Sequence, residues 1–181
     1  MGSFTHKGIS FHYEEQGEGI PFLFLHGLGN DGSYTYENID AREGVRLISP
    51  DQQGHGKSGA DWEHMNFDSM GDDVLALADH LGLEHFYLGG LSMGAGVSVQ
   101  AALRCPERLM GLILVRPAWL AEPMPEDLRE CFGALARMLP LADGAQRFVQ
   151  EPALRRLSEQ WPQGAQAFLN HFEQEDSRQR P

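Results

Sequence analysis

Gly90-Leu91-Ser92-Met93-Gly94 is the stretch on which the reading of this chain turns. It fits the pattern G-x-S-x-G. It stands between an apolar run, His85-Phe86-Tyr87-Leu88, and a small-residue helical segment, Met93 to Arg104, which Pro106 stops. A strand that turns straight into a helix is the context that gives this motif meaning. The turn is so tight that the flanking positions must be glycine, because a side chain there would strike the neighbouring strand or helix. The result is a serine hydroxyl held above the carboxyl edge of a sheet, at a helix N-terminus, where the macrodipole favours developing negative charge. The competing structural reading is a glycine-rich turn with Ser92 as an ordinary helix N-cap. Gly94, Ala95 and Gly96 after the serine favour a nucleophile.

The segments around this elbow alternate. Phe4–His6 and Ile9–Glu14 read as short strands about Lys7-Gly8, and Gln16-Gly17-Glu18-Gly19 makes a turn. Pro21 to Leu25 is continuously apolar, as suits a strand buried on both faces of a parallel sheet. Val45 to Ile48, ending at Pro50, and Leu109 to Val115 are further runs of this kind. Met70, Val74, Leu77, Ala78 and Leu81 share one helical face, with Asp68 or Ser69 as N-cap and Gly82 just past the end. Strands alternating with helices predict an α/β fold, a mostly parallel sheet with flanking helices and right-handed crossovers. After Pro117 only helical patterns follow. Leu128, Phe132, Leu135 and Leu139 form one stripe, ended by Pro140, and Ala153, Leu154, Leu157 and Trp161 form a second. Phe168, Leu169 and Phe172 form a third. The expected organisation is a core over residues 1–118, helical cap segments over 119–172 and a polar, fraying tail over 173–181.

Two loops precede the elbow. His26-Gly27-Leu28-Gly29 follows the first buried strand, and Asp51-Gln52-Gln53-Gly54-His55-Gly56-Lys57-Ser58 follows the next. With the elbow, these motifs resemble the α/β-hydrolase superfamily in type and order, over roughly residues 4 to 118. The resemblance implies that Ser92 is the nucleophile. It also implies that the backbone N–H groups of Leu28 and Met93 form an oxyanion hole, supported by His26, Gly27, Gly29, Gly90 and Gly94. Preorganised donors of this kind are commonly the largest single contribution to such catalysis. The Asp51–Ser58 loop would be structural. The family reaction needs no metal and no organic cofactor.

A serine hydroxyl needs a base, and the base an orienting acid. In this fold the chain order is serine, acid, histidine. The one histidine after Ser92 is His171, at a helix-like position, and it reads as solvated. His26 and His55 read as structural, and His64, His80 and His85 as surface or loop residues. No acid stands in Arg116-Pro117-Ala118-Trp119, and Glu126 and Asp127 read as helix-start caps. The expectation is therefore a C-terminally truncated chain that lacks the triad acid and histidine. Leu109 to Val115 would then be an apolar sheet edge, inviting self-association. The function expected is an esterase-like serine hydrolase acting on a small acyl ester, thioester or related carbonyl substrate through an acyl-enzyme at Ser92. The alternative is a non-catalytic binding or interaction module of the same fold.

Other classes fit less well. Gly27-x-Gly29-x-x-Gly32 also matches a dinucleotide fingerprint, but Ser33 to Asn38 offer only a poor apolar stripe for the helix that its third glycine requires. Gly56-Lys57-Ser58 lacks the first glycine of a phosphate loop, since position 51 is Asp. The 14 Lys plus Arg against 26 Asp plus Glu give a formal charge of −12, which repels nucleic acid. Cys105 and Cys131 read as buried or half-buried thiols. The first thirteen residues lack a secretory h-region, and no apolar run is long enough for a bilayer. A cytoplasmic protein with a small-molecule substrate is expected. Leu28, Met93 and Trp119 could line an apolar pocket or be ordinary core, and Arg116 reads as a solvated charge at a strand end.

Overall fold

The structure, a computed structural model, describes residues 1–40, 42–117, 123–139 and 141–172. The chain divides into two compact units, Met1–Ala118 and Trp119–Pro181, each with its own core.

The first unit is built on a six-stranded sheet of order β1-β2-β4-β3-β5-β6. Its strands are β1 (Gly2–His6), β2 (Ile9–Gln16), β3 (Ile20–Leu25), β4 (Val45–Pro50), β5 (Phe86–Leu91) and β6 (Leu109–Val115). The β1–β2 hairpin and the β2–β4 pair are antiparallel, whereas β4, β3, β5 and β6 run parallel. The apolar runs follow from this topology: Leu23, Phe24 and Leu25 of β3 are all buried, because both faces of a central parallel strand are covered. By contrast β6 ends the sheet, and Met110, Leu112, Ile113 and Val115 are 39–47% exposed.

Three helices cover this sheet: α1 (Gly32–Asn38), α2 (Phe67–His80) and α3 (Met93–Arg104). The sequence pattern offers only a poor apolar stripe for α1, yet the helix forms. Side-chain carboxylates replace periodicity there: Asp31 accepts the Ser33 N–H at 3.0 Å, and Asp51 accepts that of Gly32 at 2.7 Å. The start of α2 also differs from expectation. Its N-cap is Asn66, not Asp68 or Ser69, because the chain is still extended at Asn66 and its side chain accepts the Ser69 N–H at 2.9 Å. The Ser69 hydroxyl returns a bond to the Asn66 N–H at 3.0 Å, closing a capping box. Gly82 stands past the end as expected, at φ 64°. The Leu83 N–H bonds to the Ala78 carbonyl and the Gly82 N–H to that of Asp79, a Schellman closure.

The second unit holds α4 (Glu126–Met138), α5 (Gly144–Phe148), α6 (Pro152–Gln160) and α7 (Pro162–Asn170). Cys131, Leu135, Phe148, Leu154, Leu157 and Phe168 are among the residues of its core. Two expectations need correction. Trp161 is not part of the buried stripe but 50% exposed, because it sits at the junction of α6 and α7. Glu126 and Asp127 do not cap α4; Pro125 holds the cap position, and Asp127 instead accepts the Arg156 Nε–H at 2.6 Å. The helix α5, whose Phe148 is wholly buried, is too short for a stripe. Trp119, Pro140 and residues 173–181 lie outside the described residues. Among the described residues no helix is long and apolar enough to cross a membrane.

Candidate active site

β5 delivers the chain through Gly89 and Gly90 to Ser92, whose N–H is held by the Val115 carbonyl at 3.0 Å. Ser92 has φ 52° and ψ −108°, a region that L-residues enter at a cost of about 1–3 kcal/mol. Both flanking glycines are required by close approach. A β-carbon at Gly90 would fall inside contact distance of the Gly94 carbonyl, and one at Gly94 would lie 2.6 Å from the His26 carbonyl oxygen. The Ser92 side chain does not cap α3. The ordinary N-cap reading of Ser92 therefore fails, and the half-buried hydroxyl stands at the helix N-terminus.

The His26–Gly29 loop runs beside this turn. A β-carbon at Gly27 would lie 3.7 Å from the Ser92 β-carbon and 3.4 Å from the Leu91 carbonyl oxygen. The loop then folds back, with Gly29 at φ 78° and the Asn30 N–H bonded to the Gly27 carbonyl at 3.2 Å. The Leu28 side chain is 51% exposed, so it is not core. His26 is wholly buried. Its Nδ1 lies 2.8 Å from the Gly27 carbonyl oxygen, and its Nε2 accepts the Gln52 N–H at 3.0 Å. Burial lowers its pKa from 6.5 to about 4. Both ring nitrogens are thus engaged and the ring is neutral.

The Asp51–Ser58 loop holds these parts together. Asp51, 4% exposed, accepts the Gly32 N–H through one oxygen and the Lys57 N–H at 2.8 Å through the other. Gly56 must be glycine because a β-carbon there would collide with this carboxylate. The Ser58 hydroxyl donates to the Asp51 carbonyl at 2.6 Å and accepts the His12 N–H. Two carboxylates thus already sit on the first N–H groups of α1, where a dinucleotide would need its pyrophosphate. This, rather than a missing helix, removes the dinucleotide reading.

The remaining candidates are scattered. His55 packs its ring 5.1 Å from that of His26, and its Nδ1 lies 3.0 Å from the Gln53 carbonyl. His64 pairs with Asp61, His80 ends α2 against the Phe4 ring, and His85 is exposed. His171, expected to be solvated, is instead half-buried at the end of α7, where burial lowers its pKa. Arg116 is exposed after β6, as expected. Cys105 and Cys131 are buried free thiols whose pKa values burial raises. Among the described residues no three His, Cys, Asp or Glu groups are placed to hold a metal. Reasoning from sequence passed over Gln52, which meets His26 from two sides. Its only signal was a place inside the Asp51–Ser58 motif.

Residues 20–161 match the family described as alpha/beta hydrolase fold, and the chain belongs to that family. A dihydrolipoyllysine-residue acetyltransferase component of an acetoin cleaving system from Pseudomonas putida is 32% identical over 144 residues, 78% of this chain and 39% of that protein. The AB hydrolase superfamily protein YisY of Bacillus subtilis is 32% identical over 170 residues, 84% of this chain and 63% of that protein. A thermophilic esterase from Thermogutta terrifontis superposes with a TM-score of 0.65 at 25% identity, over 99% of this chain and 71% of that one. The chain thus spans 39% and 63% of the length of the two sequence relatives.

Proposed function

We propose that the first unit supplies the nucleophile and oxyanion half of a serine-hydrolase site for a small acyl ester, thioester or related carbonyl substrate. The observation that carries this is the Ser92 backbone, held at φ 52° at the head of α3 with its side chain not spent on capping. Backbone strain of this kind costs free energy wherever it occurs and clusters at functional sites. The hydroxyl oxygen would attack the substrate carbonyl carbon as its proton passes to a base. The resulting oxyanion would be met by the N–H groups of Leu28 and Met93. Collapse would expel the alcohol or thiol, leaving an ester on Ser92 that water then hydrolyses. His26 is excluded as the base because its Nε2 already accepts the Gln52 N–H. The base and its acid are therefore sought elsewhere in the protein. The esterase likeness supports a carbonyl substrate.

The test is fluorophosphonate labelling of the protein expressed from the whole reading frame that contains these residues. The label is expected on the peptide carrying Ser92 and absent from Ser92→Ala. A modified protein whose label lies elsewhere, or an unlabelled one, would overturn the reading.

A further inference from the structure

Gln52 is 4% exposed and grips His26 twice. Its main-chain N–H donates to His26 Nε2 at 3.0 Å, and its side-chain Nε2 donates to the His26 carbonyl at 2.6 Å. A ring nitrogen that accepts an N–H carries no proton, so the proton of the neutral ring sits on Nδ1. That N–H donates to the Gly27 carbonyl, 2.8 Å away. The same carbonyl accepts the Asn30 N–H. The Gly27 C=O and the Leu28 N–H belong to one planar trans peptide unit and point in opposite directions. Fixing the carbonyl therefore fixes the direction of the Leu28 N–H.

We propose that Gln52 is a positioning residue whose carboxamide, by holding the His26 carbonyl, fixes the orientation of His26 and so aims the Leu28 N–H at the reacting oxygen beside Ser92. This rests on the serine-hydrolase reading above. The Gln52 carboxamide fixes the His26 end of the loop, and the ring relays that constraint across one peptide unit. The ring works only while Nε2 is unprotonated, because a proton there would face the Gln52 N–H donor to donor. Burial keeps it unprotonated down to a pKa of about 4, against the bond to the Gly27 carbonyl, with His55 acting in the same sense as burial and Asp51 and Asp31 against it.

Two measurements on the protein from the whole reading frame test this. The first is ¹⁵N NMR of the His26 ring at neutral pH. A protonated Nδ1 and bare Nε2 are expected, and the opposite tautomer would overturn the proposal. The second is Gln52→Met, which keeps the volume of the side chain and removes its donor. Its turnover number and fluorophosphonate labelling rate are expected to fall about tenfold or more, short of the full loss of an oxyanion donor, with KM little changed. The His26 ring signals should broaden or shift while the melting curve stays cooperative. An unchanged turnover number, or a fall that merely tracks the unfolded fraction, would overturn it. Failure of Ser92 to label in the unaltered protein would remove the serine-hydrolase reading instead, and the ring tautomer would still report on the Gln52–His26 pair.

Discussion

The elbow and the loop beside it lie in contact, yet they are held by opposite means. At Gly90–Gly94 the backbone is fixed by exclusion: there is no room for a side chain, and the chain takes the one path left. At His26–Gly32 it is fixed by attachment: Asp51, Gln52 and the His26 ring grip main-chain groups one by one. Steric exclusion does not depend on protonation, whereas the attachments do. The elbow should therefore answer only to changes of volume, and the loop to changes of charge and pH.

The sharpest way to break the elbow is Gly94→Ala. The added carbon meets the carbonyls of Leu25 and His26, which are backbone and cannot swing away. A loss of about 3 kcal/mol or more is expected in urea unfolding, beyond usual overpacking. A loss below 1 kcal/mol would mean that the elbow can open.

The loop should fail in acid. His26 is neutral in the folded state down to about pH 4, whereas unfolded histidine takes its proton near 6.5. Its contribution is thus complete above pH 6.5, drains away as pH falls toward 4, and changes no further below that. The full span is on the order of 3 kcal/mol. Asp73 works against this, since burial raises its pKa and the cost of its charge is relieved as pH falls. Urea titrations between pH 7 and 4 on the native chain and on His26→Gln should separate the two. Equal slopes would show that His26 is not the group responsible.

Asp51→Asn keeps the shape and loses the charge that serves two main-chain donors. A cost of about 2 kcal/mol is expected, with hydrogen exchange quickened at Gly32 and Lys57 and not at Met93. Quickening at Met93 as well would show that loop and elbow are one unit. Ser92→Gly should act in the other direction and stabilise by about 1 kcal/mol, since glycine accepts φ 52° freely but costs chain entropy. A destabilised Ser92→Gly would mean that the hydroxyl holds the turn. The smallest effect expected is at the sheet edge. The exposed apolar strand β6 should cause weak, concentration-dependent association of the 181-residue chain in sedimentation, reduced by Ile113→Lys. Identical sedimentation of both chains at all concentrations would remove this expectation.

Much of the first unit was legible because its signals are local. A strand buried on both faces must be apolar throughout, and a turn without room must be glycine. Such constraints act within a few residues and leave their mark in order along the chain. The helix α1 left no such mark, since it is held by Asp31 and by Asp51, nineteen positions away from Gly32. The α2 start was misplaced by two or three residues for a related reason. Asn66, Asp68 and Ser69 can all cap, and the extended backbone at Asn66 made the choice.

By itself, then, the sequence determined the strands, the longer helices, the strand-to-helix turn about Ser92 and the family to which the chain belongs. These follow because strands buried on both faces and turns without room restrict the residue types at successive positions. Only the tertiary structure decided that both ring nitrogens of His26 are engaged, that Gln52 bonds to its ring and its carbonyl, and that the Ser92 side chain does not cap its helix. The contacts between Gln52 and His26 join groups 26 residues apart. Hydrogen bonds between distant positions form only after the sheet has brought β3 and β4 side by side. A pattern read along the chain has no record of that meeting.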